Sequence, residues 1–406
     1  MNSKIKNNKS LLKIIFLLII IALLTGIILN PSLSLESAKD GILIWVNVLL
    51  PSLFPFFIIS EILINFGFVD FVGKLLKPLM KPLFNVPGEG AFPLTMSMLS
   101  GYPVGAKLTS RLREEKLITK EEGNRLICFC STSGPLFMLG AVSIGMLGDS
   151  KLAPLIIIPH YVSLLLIGLF IGTFTLKSNI GKKEAKIENL WHEIQNSYLL
   201  WIKTKKPIGS LITKSVKESM DSILLIGGIV IFYSVLIEIL FNISLVHNFI
   251  VYISNLFSID VQLIKGITAG LIEMTTGCKT IATANVDILY KIIAINFIIG
   301  WSGISIHSQA LSFINNTDLN GKLYIIAKFF HGIISSILGF IIYSIKYNGY
   351  IQPTFSQNIQ IYSGFNLLNW ISLILKSANL VIMLNLYILL LSVFIYLLTN
   401  PSKRKS

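Results

Sequence analysis

The stretch from Leu94 to Lys107 starts as an apolar helical run and breaks at Gly101-Tyr102-Pro103-Val104-Gly105. A lysine and a strongly charged segment follow at once. Such a run is too short to cross a bilayer and too polar to sit in lipid. Non-helical backbone at membrane depth is tolerated only where protein or water satisfies its freed N–H and C=O groups. The stretch therefore reads as a re-entrant, broken helix facing a cavity.

The chain says this twice. In Ala269 to Lys279, the triplet Gly277-Cys278-Lys279 falls 172 positions after Gly105-Ala106-Lys107 (107 to 279). A second break lies beyond each copy, at Ser133-Gly134-Pro135 and at Ser302-Gly303-Ile304, 169 apart (133 to 302). An acid in an apolar helix lies ahead of each, Glu61 and Glu238, 177 apart (61 to 238). Three landmarks in one order at nearly one spacing indicate a duplicated unit. Paired Gly/Pro-interrupted segments in corresponding halves point to a transporter's binding site.

Over 406 residues the chain is 53% apolar and 13% charged, with a mean hydropathy of +0.74, the composition of a polytopic membrane protein. Its net charge of +14 sits in loops and tails between apolar runs, where it sets membrane orientation. No basic face or nucleic-acid module accompanies the charge, so no nucleic-acid partner is expected. Cys128, Cys130 and Cys278 have no zinc-like spacing and read as small apolar fillers, so no metal site is expected. No nucleotide-binding loop or legible catalytic set appears; neither an enzyme nor a bound cofactor is expected.

In order, Lys4, Lys6, Lys9 and Lys13 precede a retained first helix over Ile14–Leu29; a cleaved leader would share the basic start but show a small-x-small site. A short outer loop with Glu36, Lys39 and Asp40 follows, then a proline-kinked span at about Ile42–Phe66 and an amphipathic inner segment. The first hairpin occupies Ala91–Leu108. Thr119 and Glu122 make a capping box at the start of the next helix. Broken spans are expected at Leu126–Leu147 and Ile288–Phe313, and the second hairpin at Val261–Ala284.

The predicted fold is an all-α polytopic membrane protein of two inverted-topology repeats, with eight full spans and two hairpins. The parts are residues 1–40 (first helix and outer loop), 41–176 (first repeat), 177–219 (basic cytoplasmic linker), 220–346 (second repeat) and 347–406 (outer loop, last helix over Leu380–Leu398, basic tail). Both termini are placed on the cytoplasmic side.

Four strings carry a resemblance. They are Pro51-Ser52-Leu53-Phe54-Pro55, Leu99-Ser100-Gly101-Tyr102-Pro103-x-Gly105-Ala106-Lys107, Cys130-Ser131-Thr132-Ser133-Gly134-Pro135, and Gly270-Leu271-x-Glu273-x-Thr275-x-Gly277. With them the chain resembles the nucleoside-recognition, or Gate, domain family, from about Gly41 to Tyr343. The resemblance implies a fold like that of concentrative nucleoside transporters. Through the family's sporulation members, it implies movement of dipicolinate across the outer forespore membrane.

Dipicolinate is a flat dianion, and broken helices offer it bare amides and positive dipole ends without free charges. On this reading Ser100, Gly101, Tyr102, Gly105, Ser131, Thr132, Ser133 and Gly134 line one side of the site. Thr275, Thr276, Gly277, Ser302, Gly303 and Ser305 line the other. Lys107 and Lys279 each compensate a substrate carboxylate, or else snorkel to the nearest interface. Glu273 carries a coupling proton, binds Na⁺ or neutralises Lys279, since an intramembrane acid is a functional candidate by default. Glu61 and Glu238 read as interfacial, His307 and Gln309 as possible ligand contacts, and His160 carries no assignment.

The expected partners are a small anionic solute, membrane lipid and a coupling ion, H⁺ or Na⁺; self-association is left open. Two other readings stand beside anion transport. One is ion-coupled nucleoside transport, although Gly101 stands where a second hairpin acid would match Glu273. The other is a non-transporting scaffold or sensor using the basic linker.

Overall fold

The structure, a computed structural model, describes residues 14, 17, 18, 20–65, 68–174 and 207–346. Among these every regular element is helical. The expected last span and basic tail, both termini and most of the basic linker lie outside the described residues.

After a short apolar helix, α1 (Ile20–Leu29), the chain forms α2 (Pro31–Asn65), which runs on through a π turn at Trp45–Leu49. Pro31 opens α2, where its missing N–H costs nothing. Glu36, Lys39 and Asp40, expected in a loop, are exposed positions in the first turns of this helix. At 1.5 Å per residue its 35 residues outrun a hydrocarbon core of about 30 Å, so a charged end can project beyond the lipid. Next come α3 (Phe68–Phe84), the hairpin pair α4 (Ala91–Ser100) and α5 (Val104–Glu114), and the broken pair α6 (Lys120–Phe129) and α7 (Phe137–Met146, a π-helix). The long helix α8 (Pro154–Phe174) closes the half.

The second half repeats that order with α9 (Ile208–Asn242), α10 (Ser244–Phe257), hairpin α11 (Val261–Ile272) and α12 (Met274–Thr283), broken pair α13 (Ile288–Trp301) and α14 (Gly303–Ile314), and α15 (Gly321–Lys346). Helix α9 takes in the last dozen residues of the expected linker, from Ile208. Each half thus has one long helix, one broken helix and a second long helix in the same order.

Five described helices are long and apolar enough to cross a bilayer: Pro31–Asn65, Ser150–Thr173, Ile208–Asn242, Ile288–Ile314 and Gly321–Ile345. The chain is an all-α polytopic membrane protein. The expected crossing at Leu126–Leu147 is divided between α6 and α7, so neither part spans alone.

Both hairpins close by small-residue contact. A Cβ on Gly105 would collide with the Cys130 carbonyl and stand 2.9 Å from Ser97 Cβ; one on Gly277 would run into the backbone of Gly270. Pairing of 97 with 105, and of 270 with 277, puts the tips at Gly101-Tyr102 and at Glu273. Close backbone approach of this kind is the use of small residues in membrane helices.

Two clusters anchor the first repeat. Phe84 stacks on Phe129 at 4.6 Å within a core that includes Met80, Leu94, Leu126 and Leu164. A second, around Ala106, Ile127, Ile167, Ile314 and Tyr324, joins α5 and α6 to α14 and α15 of the other half. The capping box forms as the sequence predicts, with Thr119 N–H donating to Glu122 Oε2 (2.7 Å) and Glu122 N–H to Thr119 Oγ1 (3.3 Å).

Candidate functional site

The first tip exists because Gly101 adopts φ 77°, ψ −163°, a region that only glycine enters freely. Helix α4 ends there with Gly101 N–H on Ser97 O (2.8 Å), the Tyr102–Pro103 peptide is cis, and α5 restarts at Val104. The tip lies against the first break: a Cβ on Gly101 would stand 3.1 Å from the Gly134 nitrogen.

Residues 131–134 are non-helical, yet side chains take up their backbone groups, as the lack of solvent water at this depth demands. Thr132 N–H donates to Ser97 Oγ (3.0 Å) and Ser133 N–H to His160 Nε2 (3.3 Å). Tyr161 Oη donates to Ser133 O (3.1 Å), and Lys328 Nζ to Ser131 O (3.1 Å). The Thr132 hydroxyl lies 2.8 Å from His160 Nε2.

The second half uses a different device at its tip. Glu273 is 3% exposed and caps α12 with its own carboxylate: Oε1 accepts from Thr275 N–H (2.9 Å) and Oε2 from Thr276 N–H (2.6 Å). The break behind it turns through Ser302 (φ 74°) and Gly303 (φ 82°). A Cβ on Gly303 would approach Ile272 O at 3.0 Å and Met274 N at 3.1 Å, so this break too is pressed on the neighbouring tip. Trp301 Nε1 donates to Leu271 O (3.1 Å) and fixes that contact.

Between the tips lies a cavity of about 320 Å³. Of the residues proposed from sequence, Ser100, Gly101, Tyr102, Ser133 and Gly134 reach it from the first half, and Glu273, Thr275 and Ser305 from the second. Leu53, Phe57, Leu225 and Ile229 supply an apolar wall from α2 and α9. Glu61, read as interfacial, also borders the cavity, as does Gln309.

Other proposed residues stand elsewhere. Ser131 and Thr132 are buried in the break, and Gly105 and Gly277 are used in hairpin packing. Ser302 and Gly303 lie behind the second tip. The Thr276 hydroxyl meets Ser234 Oγ at 3.5 Å. Lys107 is exposed with its Nζ over the Phe313 ring (5.9 Å), and Lys279 is half-buried; neither lines the cavity. Among the described residues no ion pair joins Glu273 to Lys279, because the carboxylate is engaged with α12 amides instead. The His307 ring lies edge-on to Trp301 (4.3 Å) and Tyr324 (5.5 Å), outside the lining.

Sequence reasoning passed over Lys328 and His331 and assigned nothing to His160, yet these three knit the first break to α8 and α15. All three are fully buried. A lysine inside the apolar run Leu323–Tyr343 was the available signal, since an ionisable group at that depth is a functional candidate.

Two hairpins, each set tip-to-break against a broken helix around one cavity, define an integral membrane protein of the transporter-like class. Comparison agrees. The family described as "Gate: Nucleoside recognition" matches residues 46–150, which hold the first tip and the first break. The chain is 32% identical over 393 residues, 93% of its own length and 95% of the relative's, to the sporulation integral membrane protein YlbJ of Bacillus subtilis. It belongs to that protein's family. A shorter likeness, 29% over 113 residues, links it to an uncharacterized protein of Alkalihalophilus pseudofirmus, covering 28% of this chain and 23% of that one. No solved structure matches.

Proposed function

We propose that the chain carries a small organic anion, with dipicolinate the best candidate, across the outer forespore membrane of a sporulating cell. The relative's name supplies the sporulation context. The observation that carries the reading is the cavity of about 320 Å³ on which both tips and both broken helices converge. That volume is in the range of small-molecule pockets. Three of the helix starts around it, α5, α7 and α14, have no side-chain cap, and their positive dipole ends face the cavity region, although Val104 N–H is taken by Gly101 O and Met138 N–H by Gly134 O. The fourth, α12, is already taken by Glu273.

On this reading both termini are cytoplasmic, since Lys4, Lys6, Lys9 and Lys13 at one end and Lys403, Arg404 and Lys405 at the other obey the positive-inside rule. Lipid is the surrounding partner, and a proton or sodium gradient is the candidate driving force. The test is flux of radiolabelled dipicolinate into proteoliposomes, with and without each ion gradient. Flux above protein-free liposomes is expected; its absence, together with normal dipicolinate in spores of a deletion strain, would overturn the proposal.

A second reading, ion-coupled nucleoside transport, draws on the lining itself. It contains two carboxylates, Glu61 and Glu273, and no Lys, Arg or His. Uridine uptake in the same vesicles, without dipicolinate uptake, would select it.

A further inference from the structure

Lys328 is 0% exposed on α15, and its Nζ meets three groups: Tyr102 Oη (2.7 Å), Ser131 O (3.1 Å) and His331 Nδ1 (2.9 Å). The direction of each bond is fixed from its far side. Tyr102 Oη donates its own proton to Ile299 O (3.1 Å), and His331 Nε2 faces the His160 carbonyl (2.9 Å), which only an N–H can satisfy. In the neutral His331 ring Nδ1 is then an acceptor towards Lys328, as is Tyr102 Oη, and a carbonyl is an acceptor always. Three acceptors and no donor match an ammonium, which has three protons and no lone pair.

No carboxylate pairs with that ammonium among the described residues. A buried charge held only by neutral dipoles keeps a large unmet demand for a counter-charge. Nζ also lies 4.7 Å from the centroid of the Tyr102 ring, and Tyr102 lines the cavity. One aromatic side chain thus separates the cation from the solute space. The hairpin lysines at 107 and 279 do not border that space, and the lining holds no base of its own.

We propose that Lys328, acting across Tyr102, is the residue that makes the cavity prefer negatively charged solutes. This rests on the reading that the cavity carries a solute. It assigns the charge selectivity to a residue on the last helix of the second repeat, not to either hairpin. Lys328 is here a positioning residue, since the ring stands between it and the solute.

The test uses the full-length protein and two probes of one shape and different charge, dipicolinate and its neutral diamide, pyridine-2,6-dicarboxamide. Binding is read by displacement of radiolabelled dipicolinate, and for the diamide also by thermal shift. Wild type should bind the dianion about tenfold or more tighter than the diamide. In Lys328→Met that ratio should fall about tenfold, while Lys328→Arg should recover part of it. In Tyr102→Phe, which keeps the ring and removes the linking oxygen, the ratio should fall severalfold.

A Lys328→Met protein that weakens both probes by one factor would show a packing role alone and overturn the proposal. If that variant fails to reach the membrane, the wild-type ratio and Tyr102→Phe decide: a wild type that binds diamide as well as dianion overturns it without any variant. A wild type that carries dipicolinate with a ratio indifferent to Lys328 removes this inference and leaves the transport reading standing. A wild type that carries uridine and ignores dipicolinate removes the inference and keeps a transporter; one that carries neither removes both.

Discussion

His331 Nε2 donates to the carbonyl of His160 at 2.9 Å, and the two rings lie 4.4 Å apart. The residues are 171 positions apart, within the 169–177 spacing of the other duplicated landmarks. Corresponding positions of the two halves therefore meet each other on α8 and α15. That is what an axis relating two repeats requires of residues lying on it.

Replacing His331 with alanine takes one donor from the His160 carbonyl, which keeps the Ser163 hydroxyl (2.9 Å), and leaves one proton of Lys328 without a partner. An unsatisfied buried group costs about 1–3 kcal/mol, more when charged. The thermal midpoint of the purified protein in detergent should fall clearly below wild type. An unchanged midpoint would mean that the network contributes nothing to folding.

The glycines of the hairpins should be sensitive to a single methyl group. Gly105→Ala drives Cβ into the Cys130 carbonyl, with no flexible side chain to yield, and overpacking costs about 1–3 kcal/mol. Gly228→Ala is the contrast, because nothing lies within 4 Å of its Cβ on the exposed face of α9. Alanine there should gain about 0.5–1 kcal/mol of helix propensity. Opposite shifts of the thermal midpoint are expected, and equal shifts would contradict the packing described.

Glu273 acts on α12 through two amides, so Glu273→Ala should release both. Losing such a cap costs about 1–2 kcal/mol. Hydrogen exchange should quicken at Thr275 and Thr276 while the middle of α12 stays protected. Glu273→Gln, which keeps one acceptor oxygen and loses the charge, should fall between. Exchange that is uniform along the hairpin in all three proteins would refute the capping role.

At the membrane surface, Arg113 on α5 forks onto Asp318 after α14, Nε to Oδ1 at 2.9 Å and Nη2 to Oδ2 at 3.0 Å. The hydrogen-bonded guanidinium holds the Asp318 carboxyl below its ordinary range. A carboxyl with a depressed folded-state pKa adds stability above its unfolded value and loses it as pH falls through the folded one. The stability gap between wild type and Asp318→Asn should thus be present at neutral pH and close below about pH 4. Asp318 is exposed and Arg113 partly so, hence the gap should be small and should shrink in high salt. A gap that persists in acid would assign it to something other than the ion pair.

Much of this architecture was legible because the signals are local. A glycine or proline interrupting an apolar run marks a break whatever the run packs against, so Gly101, Gly134 and Gly303 were visible from their neighbours alone. The same holds for the capping box at Thr119 and Glu122, which closes within four residues. Charged residues were harder. Glu36, Lys39 and Asp40 look like a loop, but nothing in them forbids a helix, and a long helix can carry charge beyond the lipid. Lys107 and Lys279 sit beside the tips in sequence, yet adjacency along a hairpin does not say which face a long side chain takes.

By itself, then, the sequence determined that this is a helical membrane protein made of a duplicated unit, with two tips and two breaks. Hydropathy and backbone freedom act over a few residues and survive any packing. Only the tertiary structure decided which groups those breaks would meet. Glu273 is drawn to amides two and three residues away once the hairpin folds, and the cation behind the cavity comes from Lys328, 226 positions from the tyrosine it touches. A buried polar group takes whichever partner the fold brings near, because leaving it bare costs more than any local preference contributes. That choice is made in space, after the helices have packed.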